Sequence, residues 1–389
     1  MPSRAAAGLA LALLLLAWPA LSTTVPRPAA GLAPSELVVT RPGLVLVDVE
    51  ARRAVLEALP EAERQALCGP PRQSWPRHGV QRNVSGSAQP AQTLALTLMQ
   101  AAARYLATGD GAARDAIGSN LLRFAQGDGL TRMVEPVTIN HFYNLDRTLL
   151  PIIVSFAMVH DDPALQPKDV ATISAWLDRL VRRRGPERVA DPAAVSSRNN
   201  HRYLRDSVTM AWGAFVGDNA LFYTGIDRFR IALGQMRADG SLPLETDRGP
   251  EALFYQRHAI ASLVTMAEIA AVQGYDLYTL TNADGHDLHR MVEFLADGIA
   301  DPAVLAPYTD APQDLGFLDW RGHSRHYMAW FEAYRARFPD SPLTHRLEAL
   351  ILERGSLEGQ LVDEYAGGMT TCLYADPAPH LAQGGHLPL

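Results

Sequence analysis

The sequence predicts an all-α protein, an (α/α) toroid or incomplete barrel of antiparallel helix pairs. Three observations predict it. Helical periodicity dominates after Ala91, with apolar residues returning to one face in segment after segment. Alternating, strand-like runs are few, and no low-complexity linker interrupts the stretch from Ala91 to Arg354. The breaks between periodic segments are short and carry Gly, Pro, Asn and Asp, so successive helices fold back as antiparallel neighbours. An open helical solenoid is the second arrangement this pattern allows.

Taken in order, the chain starts with Arg4, an apolar run from Ala5 to Trp18, and a small-residue exit at Ala20-Leu21-Ser22. These are the marks of a secretory signal peptide over residues 1–22, and the run is shorter than the roughly 20 residues a membrane span needs. The product is therefore expected to be periplasmic or secreted, with no membrane attachment after cleavage; the alternative is an N-terminal anchor left uncleaved. Thr23 to Ser35, rich in Pro and Ala, reads as a disordered leader. Residues 23–90 form a leader and N-terminal segment packed on the main domain, which occupies 91–389.

Within that domain, Gln92 to Ala107 reads as a helix ended by Thr108-Gly109-Asp110-Gly111. Helices follow over Ala112 to Phe124, Asn144 to Val159 and Pro167 to Arg184. In His201 to Val216, Leu204, Val208, Ala211, Trp212 and Phe215 share one face. Asn219 to Ala238 is stopped by Gly240. Pro250 to Gln273 has proline in its first turn and Gly274 after its last periodic residue. His286 to Gly298, Gly322 to Phe338 and Pro342 to Arg354 complete the helices, and a short β segment is expected near Met369 to Tyr374.

A net charge of −7, from 35 basic and 42 acidic residues, argues against nucleic acid as a partner. Local charge differs: Arg182, Arg183, Arg184, Arg188, Arg198, Arg202 and Arg205 crowd one stretch. They read either as a solvated basic patch or as a groove that draws in an acidic polymer. Cys68 and Cys372 are the only cysteines. They either pair across the chain or stand as two buried thiols, and a cysteine-rich metal site is excluded by count. No metal and no cofactor is expected, and oligomeric state is left open.

The stretch Ser197-Arg198-Asn199-Asn200-His201-Arg202-Tyr203, with Arg248 and Tyr255 further on, carries the chemistry. An amide, an imidazole, a guanidinium and a phenol suit β-elimination from an acidic sugar. They neutralise the carboxylate, remove the C5 proton and protonate the departing oxygen. The plain structural alternatives are an N-cap for Asn199 or Asn200 and a core role for His201. Arg248 precedes Gly249-Pro250 and Tyr255 lies on the second helical turn, so both can face one cleft. His258, one turn later, either orients the phenol or fills space. His141 and Tyr143 repeat the Asn-His-x-Tyr pattern at Asn140, and Trp320 to Tyr327 is dense in aromatic and cationic residues. G-x-S-x-G, H-E-x-x-H and a phosphate loop are all lacking, and no carboxylate pair for hydrolysis can be named.

These residues resemble the helical alginate lyases, polysaccharide lyase family 5 and its neighbours. That family carries an Asn-Asn-His-x-Tyr-Trp segment opening a helix, a Leu-Pro-x-Glu segment, and then an arginine seven residues ahead of a tyrosine. This chain has Asn199-Asn200-His201-Arg202-Tyr203-Leu204, then Leu242-Pro243-Leu244-Glu245, then Arg248 and Tyr255. Ala329-Trp330-Phe331-Glu332-Ala333-Tyr334 is similar to the family's Trp-Leu-Glu-Pro-Tyr segment. Leu204 departs from the family tryptophan, and no counterpart of its N-terminal substrate-binding lysine is found. The resemblance implies a deep cleft between paired helices and metal-independent cleavage of a β-1,4-linked uronate polymer, with mannuronate-rich alginate first. A glucuronan lyase of the same fold, or a non-catalytic binder of acidic exopolysaccharide, is the alternative. It implies that Asn200 and Arg248 bind the carboxylate and that Tyr255 protonates the leaving O4. His201 or Tyr255 is the base, according to the sugar epimer. Asn199, Arg198, Arg202, Tyr203, His141, Tyr143, His258 and Trp330 are the expected substrate contacts. A helical glycoside hydrolase is a third, weaker expectation.

Overall fold

A computed structural model describes residues 25–72, 74–183, 194–321 and 325–375. The expected signal peptide, Arg184, Arg188 and the centre of the Trp320–Tyr327 motif lie outside them.

The chain is an α/α toroid. Two helices, α1 (Val49–Glu57) and α2 (Glu61–Cys68), precede the main series. The series runs α3 (Gln92–Thr108), α4 (Gly111–Gln126), α5 (Ile139–Ala157), α6 (Pro167–Arg182), α7 (Asn200–Val216) and α8 (Asn219–Gln235). It continues through the short α9 (Pro243–Thr246), α10 (Ala252–Val272), α11 (Leu288–Ala300), α12 (Trp330–Arg337), α13 (Pro342–Arg354) and α14 (Thr370–Tyr374). Helix α3 packs on α5, α5 on α7, α7 on α10 and α10 on α12, which makes the inner layer. Helix α4 packs on α6 and α11 on α13 outside it.

Burial explains this division. Helix α10 is buried from Gln256 through Ala270 without a break, so it has no polar face to offer water and belongs inside. Helix α6 keeps only Ile173, Trp176, Leu177, Leu180 and Val181 buried, a single stripe suited to an outer position. Helices α7 and α8 approach so closely that a Cβ on Gly213 would meet the Phe222 backbone nitrogen at 2.3 Å. Only glycine permits that approach.

Several expectations are corrected. Residues 25–35 are not a loose leader: Arg27–Pro28 (β1) pairs in parallel with Tyr275–Asp276, and Arg27 stacks over the Tyr275 ring. Two further strands, Asn83–Val84 (β2) and Arg132–Met133 (β3), pair in parallel, and Tyr275–Asp276 is β4. Helix α5 starts at Ile139, earlier than the periodicity suggested, because Thr138 and His141 form a capping box there. Within the segment expected to be helical, Arg325–His326 (β6) instead pairs antiparallel with Trp320–Arg321 (β5), and the helix starts at Trp330. The β segment near Met369 is only Gly368–Met369 (β8), antiparallel to Val362–Asp363 (β7), and Thr370 onward is helical. Cys68 and Cys372 form a disulfide that ties α2 to α14 across 304 positions. Among the described residues no helix is long and apolar enough to cross a membrane.

Candidate active site

The site is built where α7 begins, facing the start of α10. Asn199 is the N-cap: its Oδ1 accepts the backbone N–H of His201 at 3.2 Å. Its side chain is therefore committed to the helix, and the residue is buried. Asn200 and His201 occupy the first turn, at the positive end of the helix dipole, where an anion is favoured. Glu245 of α9 accepts from the Asn200 backbone N–H at 2.8 Å and sits 3.1 Å from its side-chain Nδ2. Asn200 Oδ1 is buried without a hydrogen-bond partner.

His201 is stacked beneath Tyr143 of α5, with ring centroids 4.1 Å apart and planes 16° from parallel. Its Nδ1 is buried without a partner. Burial holds its pKa down to about 4, and the positive charges of Arg248 and Arg205 push the same way. The imidazole is therefore neutral at neutral pH, the form able to take a proton.

Arg248 lies in the turn ahead of α10, with its guanidinium 3.9 Å from the centroid of the Tyr255 ring. Burial raises the Tyr255 phenol above its ordinary range; Arg248 opposes this, and the nearby carboxylates of Glu251 and Glu245 add to it. A phenol kept protonated, beside a guanidinium that can stabilise its anion, suits proton donation and return. His258 closes the back of the site, 6.4 Å from the Tyr255 ring and 5.9 Å from Tyr143. It is buried, both nitrogens lack partners, and burial with Arg257 nearby keeps it neutral.

Behind Tyr143 stands a group that sequence reasoning missed. Tyr143 and Tyr365 share a hydroxyl hydrogen bond of 2.7 Å. Tyr365 meets His258 edge-on at 4.0 Å. Arg147 lies over both tyrosine rings and reaches Glu364 at 2.5 Å, and Glu364 also binds Arg325. Asp363 and Glu364 are fully buried side by side. Burial and the Glu364 charge raise the Asp363 carboxyl well above its usual range, while Arg147 and Arg325 hold Glu364 down. The only local signal was Asp363-Glu364-Tyr365 in a polar, Gly-rich tail, which reads as solvated.

The structure thus brings Asn200, His201, Arg248, Tyr255, Tyr143 and His258 together, and separates others from them. Trp330 is fully buried against Phe331 and Tyr334, a core residue with no surface for a polymer. Tyr203 is also core, its hydroxyl donating to Gln235 at 2.6 Å. His141 uses both ring nitrogens on the loop before α5, toward Thr138 and Val134. Arg202 pairs with Asp206, which Arg228 also binds. Arg198 is exposed. The basic stretch is therefore partly neutralised internally rather than a uniform groove. Arg205, buried among these charges, has its pKa lowered to about 10 by burial and by Arg202. Among the described residues, no group of three or more His, Cys, Asp or Glu is placed to hold a metal ion.

Residues 95–305 match the family model described as alginate lyase. A polysaccharide lyase of Stenotrophomonas maltophilia is 32% identical over 267 residues, 67% of this chain and 74% of that protein. An alginate lyase of Pseudomonas syringae pv. syringae is 28% identical over 181 residues, 46% of this chain and 45% of that one. Among solved structures, alginate lyase A1-III of Sphingomonas species A1 gives a TM-score of 0.71 at 25% identity, covering 89% of this chain and 100% of that one. Its histidine-to-alanine variant, complexed with a tetrasaccharide, gives a TM-score of 0.72 at 25% identity, covering 89% of this chain and 99% of that one.

Proposed function

The chain belongs to the alginate lyase family, and from that premise we propose an exported polysaccharide lyase that cleaves mannuronate-rich alginate by β-elimination without a metal. One observation supports the reading: the start of α7 sets Asn200 and neutral His201 near the Arg248–Tyr255 pair. The tetrasaccharide held by the A1-III variant supports an acidic oligosaccharide as the occupant of such a cleft.

In this mechanism the uronate carboxylate sits between Arg248, Asn200 and the N-terminal end of α7. Neutralising it lowers the cost of the negative charge that develops when C5 loses its proton, and preorganised donors do this without reorganising solvent. The base takes the C5 proton, electrons move into a C4–C5 double bond, and the C4–O4 bond breaks. Tyr255 delivers a proton to O4. For mannuronate, whose C5 proton and O4 lie on one side, Tyr255 reacts from its phenolate form, which Arg248 favours: it takes the C5 proton and returns that proton to O4, while His201 holds the carboxylate. For the opposite epimer, neutral His201 is the base. Arg248 stabilises the phenolate form whenever Tyr255 gives up its proton. Export rests on the N-terminal segment, whose charged start and short apolar run have the pattern of a signal peptide.

The test is the ultraviolet absorbance of the conjugated C4–C5 double bond, followed separately on polymannuronate, polyguluronate and glucuronan. A rise on polymannuronate is expected, reduced about 10²- to 10⁴-fold by Tyr255→Phe, the range for losing one acid–base group. Binding without any rise on the three polymers would overturn the catalytic reading. A rise on glucuronan alone would replace the substrate.

A further inference from the structure

We propose that Glu245 is a positioning residue that works as a neutral acid: its O–H donates to Asn200 Oδ1 and so turns Asn200 Nδ2 toward the substrate carboxylate. The proposal rests on the reading of Asn200 as a carboxylate ligand and adds the group that gives its amide a direction.

The geometry starts from two bonds. Glu245 Oε1 accepts the Asn200 backbone N–H at 2.8 Å, and Oε2 lies 3.1 Å from the side-chain amide. Both residues are fully buried. An amide has a donor end and an acceptor end, and a half-turn about χ2 exchanges them with almost no change in shape. With Nδ2 against Glu245, Oδ1 is left buried without a partner. In that orientation the unpartnered end of the Asn200 amide is an acceptor, which repels a carboxylate. An orphaned buried acceptor is also unfavourable.

The other orientation removes both faults, provided Glu245 carries a proton. A carboxylic acid has one accepting oxygen and one donating O–H. The first takes the Asn200 backbone N–H; the second takes Asn200 Oδ1. Nδ2 then faces the substrate, and donation into Oδ1 polarises the amide further. An ionised carboxylate accepts at both oxygens and can hold only the unproductive orientation.

The surroundings favour the acid. No ion pair to Glu245 is present among the described residues, although other buried carboxylates, Asp206 and Glu364, each have two arginines. The groups facing it are Asn200 and Tyr203 from α7, Tyr255 from α10, and Arg248 in the turn between α9 and α10. Arg237, from the chain after α8, is bound to Thr246. Arg248 alone favours ionisation by charge, together with the Asn200 N–H bonds. Burial outweighs them and raises the carboxyl to about 8. The α7 dipole also favours the anion, and burial works against it.

The experiment compares Glu245→Gln with Glu245→Met in the full chain. Glutamine reproduces the acid, with one acceptor and one donor; methionine keeps the size and loses both. Glu245→Gln is expected to hold kcat/KM on polymannuronate within about threefold at pH 7, less than half of a 1.4 kcal/mol decade. It should also lose a fall in kcat/KM that the wild type shows near pH 8. Glu245→Met is expected to lose at least tenfold, chiefly as a higher KM for the anionic polymer. A Gln variant as impaired as the Met variant at pH 7, or one that keeps the alkaline fall, would overturn the proposal. Infrared difference spectra across pH 6–9 supply an activity-independent reading: a protonated-carboxyl C=O band that fades with rising pH and is missing in Glu245→Gln. No such band overturns the acid even in an active enzyme. A band in a protein that acts on none of the polymers keeps the acid and instead overturns the lyase reading.

Discussion

Tyr143 lies flat on His201, ring centroids 4.1 Å apart, and the hydroxyl of Tyr143 is held by Tyr365 at 2.7 Å. A neutral imidazole whose Nδ1 lacks a hydrogen-bond partner has no polar tether to fix its plane. The stacked phenol supplies the restraint. Tyr143→Ala is therefore expected to lower kcat by about 10²-fold, the scale at which a small misplacement of a reacting group is felt. Tyr143→Phe keeps the stack and should cost far less. Steady-state rates for both, with circular dichroism to confirm the fold, check this. Equal losses in the two variants would move the effect from the stack to the hydroxyl.

Arg248 acts on both ends of the site. It helps hold the His201 pKa down, and it opposes the rise that burial imposes on Tyr255. Its removal raises both values. Arg248→Gln should therefore move the acid limb of the kcat/KM profile, set by His201, and the limb set by Tyr255 to higher pH together. Arg248→Lys restores the charge but lacks the planar guanidinium that stacks on Tyr255, so only partial recovery is expected. The pH profile of each variant decides it.

The depressed His201 pKa also bears on stability. The unfolded chain titrates near 6.5 and the folded one near 4. Between those values the unfolded state binds more protons, so stability rises with pH across the window and is lost as pH falls through it. His201→Gln should flatten part of the fall in Tm between pH 6.5 and 4, measured by thermal melts in matched buffers. His78, His258 and His326 are lowered in the same direction, so some slope should remain.

Much of the fold was legible because the inner and outer helices carry different apolar patterns. The boundaries of α3 and α13 follow the periodicity closely, and the bend before α10 follows from Gly249-Pro250. The candidate groups Asn200, His201, Arg248 and Tyr255 could be named because they are an unusual chemical set near helix starts. The supports were not. Tyr143 could be named only from a repeated motif; Tyr365 meets it, and Glu364 meets Arg147 one turn along α5, through tertiary packing between segments over 200 positions apart. Trp330 failed for the converse reason. A tryptophan within a segment similar to the family's Trp-Leu-Glu-Pro-Tyr suggested a sugar contact, but its neighbours Phe331 and Tyr334 bury it.

The disulfide between Cys68 and Cys372 joins α2 to α14 near the chain's two ends. A cross-link of that span restricts the unfolded chain strongly, and losing a native bridge typically costs about 2–5 kcal/mol. Cys68→Ser with Cys372→Ser should lower the urea midpoint accordingly. The cleft groups come from α5, α7, the turn before α10 and α10 itself, so kcat at 25 °C should hold. A fall in kcat with unchanged stability would place the bridge's influence at the site instead.

Glu364 joins stability to chemistry. It is fully buried, bound by Arg147 and Arg325, and Arg147 in turn lies over Tyr143 and Tyr365. Removing one member of a buried ion cluster leaves the others charged and uncompensated, at a typical cost of about 3–5 kcal/mol. Glu364→Gln should therefore lower the midpoint of unfolding by an amount in that range. It should also reduce kcat beyond what the lost stability explains, because Arg147 is then free to leave the tyrosine pair that seats His201. Adding Tyr143→Ala to Glu364→Gln separates the two effects. If Glu364 reaches the chemistry through Tyr143, the double variant should have nearly the kcat of Tyr143→Ala alone, while its stability loss remains larger. Additive losses in kcat would mean that Glu364 acts by another route, through Arg325 or Asp363, and that Tyr143 is seated independently of it.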